Sequence, residues 1–365
     1  MTFCGSYRQA DVRFLLKPLA TAAFVDVPDK ERLIQSGQRH YSEMLTRESL
    51  PSARYLQVFD AACQANLGRM ARDCLGLAAL VAARRAGAVT LVSLARAGTP
   101  VGVALKHVLE RVFGRAVQHY SVSIIRDRGI DQVALRHILA QGHAPESIVF
   151  VDGWTGKGVI ARELAAAVAR FNRAHGCAID GGLYVLSDLA GVAAGAASCD
   201  DYLIPSSILN ATVSGLVSRS ILNGQIGPDD FHGCIYYREF AAHDVSRSFA
   251  DRLVAAALAA ARERAHGTVE TDAGGRARAA AVSRQYMAQA LRRHGVGDEN
   301  LVKPGIGEAT RVLLRRNPQL LILRAGQAPE VAHLRMLARE KQVPVQVDPD
   351  LPYHAVSLIR SAQDG

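Results

Sequence analysis

The chain has 365 residues, of which 49% are hydrophobic and 21% charged, with a formal net charge of +9. That length allows two or three domains, and that composition excludes a disordered, collagenous or disulfide-stapled chain. The positive balance points to anionic partners such as phosphates or RNA.

In chain order, Val12, Phe14 and Leu16 alternate as in a strand. Residues 31–46 and 53–69 carry helical apolar spacing, and 72–86 predicts another helix that Gly87 stops. Residues 88–94 form a continuous apolar strand. The turn 96–100 leads into a helix over 101–113. A second strand over 117–125 ends in the charged turn 126–129, and 131–141 is helical. A third strand reaches Val151, followed by Asp152, a Gly-rich turn and a helix over 159–170. Residues 182–186 predict a further strand. Strands alternating with helices at this pace mean a parallel sheet covered on both faces.

The pattern then changes. Residues 191–197 are small and apolar, and 203–222 are dense in Ser, Asn and Thr, read either as a hood over a substrate or as a cap and loop. A helix is expected over 247–265, and the Gly-containing stretch 266–276 reads as a linker. The domains are therefore expected at 1–265 and 285–365, joined by a linker over 266–284. No apolar stretch is free enough of charge to span a membrane, since Arg84 and Arg85 interrupt the longest. Cys4, Cys63, Cys74, Cys177, Cys199 and Cys234 lie far apart with no C-x-x-C pair, so zinc spacing is absent and reduced thiols in a cytoplasmic protein are expected.

Two strand-turn-helix units carry the candidate site. Backbone N–H groups at a Gly-rich turn before a helix make an anion cradle. Asp152, Thr155, Gly156, Lys157 and Gly158 resemble the loop of type I phosphoribosyltransferases that holds the ribose and 5′-phosphate of phosphoribosyl pyrophosphate. Ala95, Arg96, Ala97 and Gly98 resemble the pyrophosphate loop of the same enzymes, with Arg126 and Arg128 closing over the leaving group. That resemblance implies a type I phosphoribosyltransferase-like sheet with a helical N-terminal extension. It also implies phosphoribosyl pyrophosphate and an unknown acceptor as partners, and Mg²⁺ bound through that ligand, with no metal held directly by the protein. Gly153 replaces the usual second acid, and the stretch from acid to Thr is two residues shorter.

A wider resemblance covers nearly the whole chain. The runs Phe3–Tyr7, Asp11–Lys17, Asp152–Gly158 and Thr212–Arg219 are similar to a bacterial family associated with tellurite-resistance and stress gene clusters. Its members are described as phosphoribosyltransferase-like with a C-terminal Pelota-type RNA-binding domain, and the family also carries the name cysteine protease StiP. The two descriptions imply different chemistry. A cysteine protease needs a thiolate, a base and an oxyanion hole. Cys234, two residues after His232 in an extended segment, is the first candidate and Cys4 the second. Cys199 is disfavoured by Asp200 and Asp201.

In the C-terminal part, the order helix, strand, helix, strand from Lys303 to Val347 resembles the small α/β domains of the Pelota and L7Ae type. In that group a Gly-x-x-Glu-x-Thr-basic segment contacts bent RNA. The resemblance implies RNA contacts from Lys303, Gly305, Gly307, Glu308 and Arg311. Three readings thus stand: a phosphoribosyltransferase coupled to RNA binding, a cysteine protease, and a non-enzymatic RNA-binding regulator sensing a sugar phosphate.

Overall fold

The computed structural model describes residues 3–263 and 273–360. The first part runs β1 (Arg13–Leu15), β2 (Lys17–Pro18), α1 (Val27–Gln35), α2 (Ala53–Arg84), β3 (Val89–Ala95), α3 (Thr99–Arg111), β4 (Val117–Ile125) and β5 (Gly129–Ile130). It continues through α4 (Gln132–Ala140), β6 (Ile148–Thr155), α5 (Val159–His175), β7 (Leu183–Asp188), β8 (Gly195–Ser198), β9 (Gly233–Cys234) and α6 (Ser246–Glu263). The second part holds α7 (Ala273–Arg293), β10 (Val302–Pro304), α8 (Ile306–Arg315), β11 (Pro318–Leu323), α9 (Ala332–Glu340), β12 (Val345–Val347) and β13 (Ala355–Ile359).

The central sheet has the order β1-β4-β3-β6-β7-β8, with every neighbouring pair parallel and β5 hooked antiparallel onto β4. Its inner strands are apolar runs because both faces are covered. On one face, Leu91, Val149, Val151 and Leu186 pack with residues of α2, α3 and α6. On the other, Val92, Phe150 and Val185 pack with residues of α4 and α5. Local signals set the helix ends. The Asp26, Ser52 and Asp131 side chains accept from backbone N–H groups at the starts of α1, α2 and α4, and Gly176 at φ +62° ends α5.

The second sheet runs β10-β13-β11-β12. It does not stand apart: Ile204 and Ile208 of the first part share one apolar cluster with Ile306 and Leu313 of α8. The chain's start is held by distant partners. β1 pairs with β4, β2 pairs with β9, and the Tyr7 hydroxyl donates to the Val213 carbonyl at 3.0 Å.

Several expectations need correction. The helices expected over 53–69 and 72–86 are one 32-residue helix, because Gly68 sits in an otherwise helical frame without breaking it. The helix expected over 31–46 is α1, shorter and earlier, set by Asp26 and Pro28. The third strand does not stop at Val151; it continues to Thr155, paired with β7 as far as Asp188. Part of the expected linker is helical, since α7 starts at Ala273 and its glycines fall in the first turn; residues 264–272, which hold the rest of 266–276 and the end of the helix expected to 265, lie outside the described residues. Lys303 and Pro304 lie on a strand, and the helix begins after Gly305. No helix among the described residues is long and apolar enough to cross a membrane.

Candidate functional site

β3 and β6 are parallel neighbours, so the turns that follow them emerge at the same edge of the sheet. The approach is close. A Cβ on Gly98 would lie 2.7 Å from the Val151 carbonyl oxygen, and Gly158 adopts φ +73°. The Ala95–Arg96 peptide is cis. The two expected loops are therefore brought together, but their side chains are already engaged within the chain.

Arg96 is 7% exposed. Its Nη1 donates to the Val217 carbonyl at 2.6 Å, and its Nη2 lies 2.7 Å from Glu48 Oε1. The Thr155 hydroxyl donates to Asp188 Oδ1 at 2.5 Å and accepts from the Ala190 N–H at 3.1 Å. Asp188 is fully buried and also accepts from the N–H groups of Val192 and Ala193. Lys157 donates to the Glu299 carbonyl. Arg128 pairs with Glu43 at 2.7 Å, and Arg126 binds Asp127 and Asn300. Burial lifts the Asp152 carboxyl to about 6, although Arg311 opposes the shift.

The expected RNA segment closes over this edge. Asp201 caps α8: its Oδ1 accepts from the Ile306 N–H at 2.9 Å and its Oδ2 from the His354 N–H at 2.8 Å. Gly305, at φ +90°, makes the turn into the helix. A Cβ on Gly307 would lie 2.8 Å from the Trp154 ring, and one on Gly156 would lie 2.9 Å from Glu308 Cγ. The Arg311 guanidinium lies 4.3 Å from the Trp154 ring centroid and pairs with Glu308 at 2.8 Å. Burial works against ionisation of Glu308, but Arg311 and Lys303 hold its carboxyl below the usual range. Gly307, Glu308 and Arg311 thus face the end of β6 and Gly156 in the same chain.

The thiols separate cleanly. Cys234 is fully buried among Tyr7, Phe14, Val103 and Val217, and burial pushes its thiol up to about 12. His232 points elsewhere: its Nδ1 meets the Ser123 hydroxyl at 2.7 Å. The alternation that would have aligned the two residues fails because β9 covers only Gly233 and Cys234. Cys63 and Cys74 are also buried, with thiols pushed up by burial, Cys63 to about 11. Cys4, Cys177 and Cys199 are half-buried. The Cys177 thiol donates to Asn172 Oδ1 at 3.3 Å just after the C-terminus of α5. None of Cys4, Cys63, Cys74, Cys177 and Cys234 has a histidine within hydrogen-bond distance among the described residues. No group of three or more His, Cys, Asp or Glu among the described residues is placed to hold a metal.

Sequence reading passed over Glu48 and Asp188 and gave Asp201 a bearing on Cys199 alone; the partners of all three lie far along the chain. Trp154 and Arg219 lie inside runs that had been singled out, without a role of their own.

A family model described as "Tellurite-like stress resistance cysteine protease StiP" matches residues 5–254, and one described as "PELOTA RNA binding domain" matches 281–361. These matches define a stress-resistance α/β protein with an appended domain of RNA-binding type. "Cysteine protease StiP" of Acinetobacter baylyi (strain ATCC 33305 / BD413 / ADP1) is 41% identical over 375 residues, covering 100% of this chain and 96% of that protein. The chain belongs to the StiP family. This kinship overturns the phosphoribosyltransferase reading, because the full-length relative carries a protease name and neither family match describes a phosphoribosyltransferase. The engaged side chains of Arg96, Thr155 and Lys157 agree with that correction. The Mg²⁺ expectation rested on that ligand alone.

Proposed function

We propose that this chain is a cysteine protease. The observation that carries the reading is its full-length 41% identity to the Acinetobacter baylyi protein of that name. The nucleophile under this reading is Cys4, whose thiol meets the Gly5 carbonyl at 3.8 Å and whose base has to be brought to it when a substrate binds. A nucleophilic thiol must reach solvent and ionise near neutral pH. Cys63, Cys74 and Cys234 fail on burial, and the Cys177 thiol already donates to Asn172 Oδ1. Cys199 neighbours Asp200 and Asp201. Cys4 is half-buried and sits where two family-like runs meet: the Ser6 N–H donates to the Gly215 carbonyl at 3.0 Å, and Phe3 packs edge-on against Tyr236.

The test is casein or peptide-library hydrolysis by the full chain, with and without iodoacetamide, and with Cys4→Ala and Cys234→Ala. Alkylation and Cys4→Ala should abolish hydrolysis, while Cys234→Ala retains it. Full activity in Cys4→Ala removes this nucleophile, and wild-type hydrolysis that survives alkylation removes the protease reading.

A second activity is favoured by the C-terminal match. Under it, the domain over 281–361 engages structured RNA, with Lys303 and Arg311 as its cations. Filter binding with a bent RNA at two salt concentrations tests it. No retention at low salt rejects it.

A further inference from the structure

Five cations converge from four separate segments. They are Lys30 on α1, Arg96 after β3, Arg219 in the loop before β9, and Arg315 and Arg316 at the end of α8, joined through Glu31, Glu48 and the carbonyls of Leu209 and Val217. Among the described residues, two carboxylates pair directly with them. Glu48 lies against Arg96 at 2.7 Å and accepts from the Ala211 N–H, and Glu31 pairs with Arg316 through both oxygens. Arg315 donates to the Leu209 carbonyl at 3.2 Å.

Two of the five have no acceptor. Lys30 is 7% exposed, yet among the described residues its amine makes no hydrogen bond or ion pair. The Arg219 guanidinium is likewise unpaired; its one marked contact is the face of Tyr41, 5.8 Å from the ring centroid, with Arg126 at 5.7 Å from the same ring. Burial, then Arg219, Arg316 and Arg315, push the Lys30 amine down to about 7. Burial and Arg96 likewise push Arg219 down. Arginine keeps its charge in proteins, so this repulsion is not relieved by losing protons from the guanidinium groups. Lys30 is buried and Arg219 half-buried; cations so placed are ordinarily paired, and like charges held together are a cost that an anion would offset.

We propose that the face between α1, the Tyr41 turn, Arg219 and the end of α8 binds a compact oxoanion bearing two or more negative charges. Guanidinium forks match phosphate and carboxylate alike, so the chemistry common to both sources is the multiply charged oxoanion. The ligand bridges α1 and residue 219 of the first part to α8 of the second. It therefore strengthens the seam between the two parts. The site is independent of the protease reading and assigns no step of hydrolysis to the ligand.

The experiment is calorimetry and thermal melting of the full chain at low salt, with tripolyphosphate and with citrate. One or both should bind in the micromolar range, the tighter one naming the source, and raise Tm. Lys30→Met and Arg219→Met should each weaken binding at least tenfold. Without ligand, each variant should melt at or above wild type, because it relieves repulsion. Arg219→Gln reads the same face should either variant not fold. The proposal is overturned if neither anion binds below millimolar concentration, or if binding is unchanged in the variants. It is also overturned if the ligand-free variants melt well below wild type, which would mark ordinary packing residues, or if a Glu-rich peptide binds more tightly than both anions, which would mark a protein groove.

Discussion

Arg311, on α8, lies with its guanidinium 4.3 Å from the ring centroid of Trp154, the residue two after Asp152 on β6. A helix turn from the C-terminal part is thereby seated on the edge where the central sheet presents its ligand-type turns. Gly307 lets the ring approach, and Glu308 fills the space above Gly156.

This pair should be energetically coupled. Cation–π contacts contribute about 0.5–2 kcal/mol depending on desolvation, so a double-mutant cycle of Trp154→Ala and Arg311→Ala in urea should give a coupling near 1 kcal/mol. Trp154→Ala alone should cost about 3 kcal/mol through lost aromatic packing. Additive effects of the two changes would mean that the ring and the guanidinium do not interact in solution.

RNA that engages Glu308 and Arg311 has to displace Trp154. Trp154→Ala should then raise affinity for a bent RNA several-fold, while Arg311→Ala lowers it and reduces the salt slope by about one. Equal affinities in wild type and Trp154→Ala would show that RNA reaches a different face.

Stability should depend on pH through Asp201. Burial raises its carboxyl to about 6, despite the N–H groups of Ile306 and His354. The folded chain therefore holds this proton where the unfolded chain has released it. The contribution is complete below about pH 4 and is lost as pH rises through 6. The Tm difference between wild type and Asp201→Asn should shift against wild type from pH 4 to 6.5. A difference curve that is flat in that window contradicts the assignment.

Thiol chemistry should sort by burial. Under native conditions a small disulfide reagent should modify Cys4, Cys177 and Cys199 and leave Cys63, Cys74 and Cys234 intact until denaturant is added. Mass mapping of labelled peptides reads this directly. Rapid native labelling of Cys234 would show that β9 opens readily.

Asp188 should be intolerant of change. It is fully buried and accepts from the Thr155 hydroxyl and two N–H groups. Asp188→Ala leaves those donors unsatisfied and should cost about 3 kcal/mol or more. Thr155→Val, which removes one donor to Asp188 and leaves the Ala190 N–H without its acceptor while keeping the shape, should cost less. The reverse order in denaturant melts would refute the network.

Much of the central sheet was legible. β4, β6 and α5 stand out because buried parallel strands are continuous apolar runs and α5 follows a glycine. β8 was missed because Gly195–Ser198 is too small in side chain to signal a strand, and β13 because its neighbours β10 and β11 lie far back in the chain. That the turns after β3 and β6 share an edge could be read from parallel order alone. What fills that edge could not. Glu308 reaches Gly156, and Glu48 reaches Arg96, across separations that carry no periodic signal.

The way the chain's start is tied down has a consequence for its synthesis. Tyr7 waits for Val213, 206 residues later, and β2 waits for β9. At about 5–20 residues per second this is a delay of roughly 10–40 s for an apolar N-terminal ribbon outside the ribosome. Such a segment is a natural client for chaperones during translation, and a bulky fusion placed before Phe3 should reduce the yield of folded protein far more than one placed after Arg360.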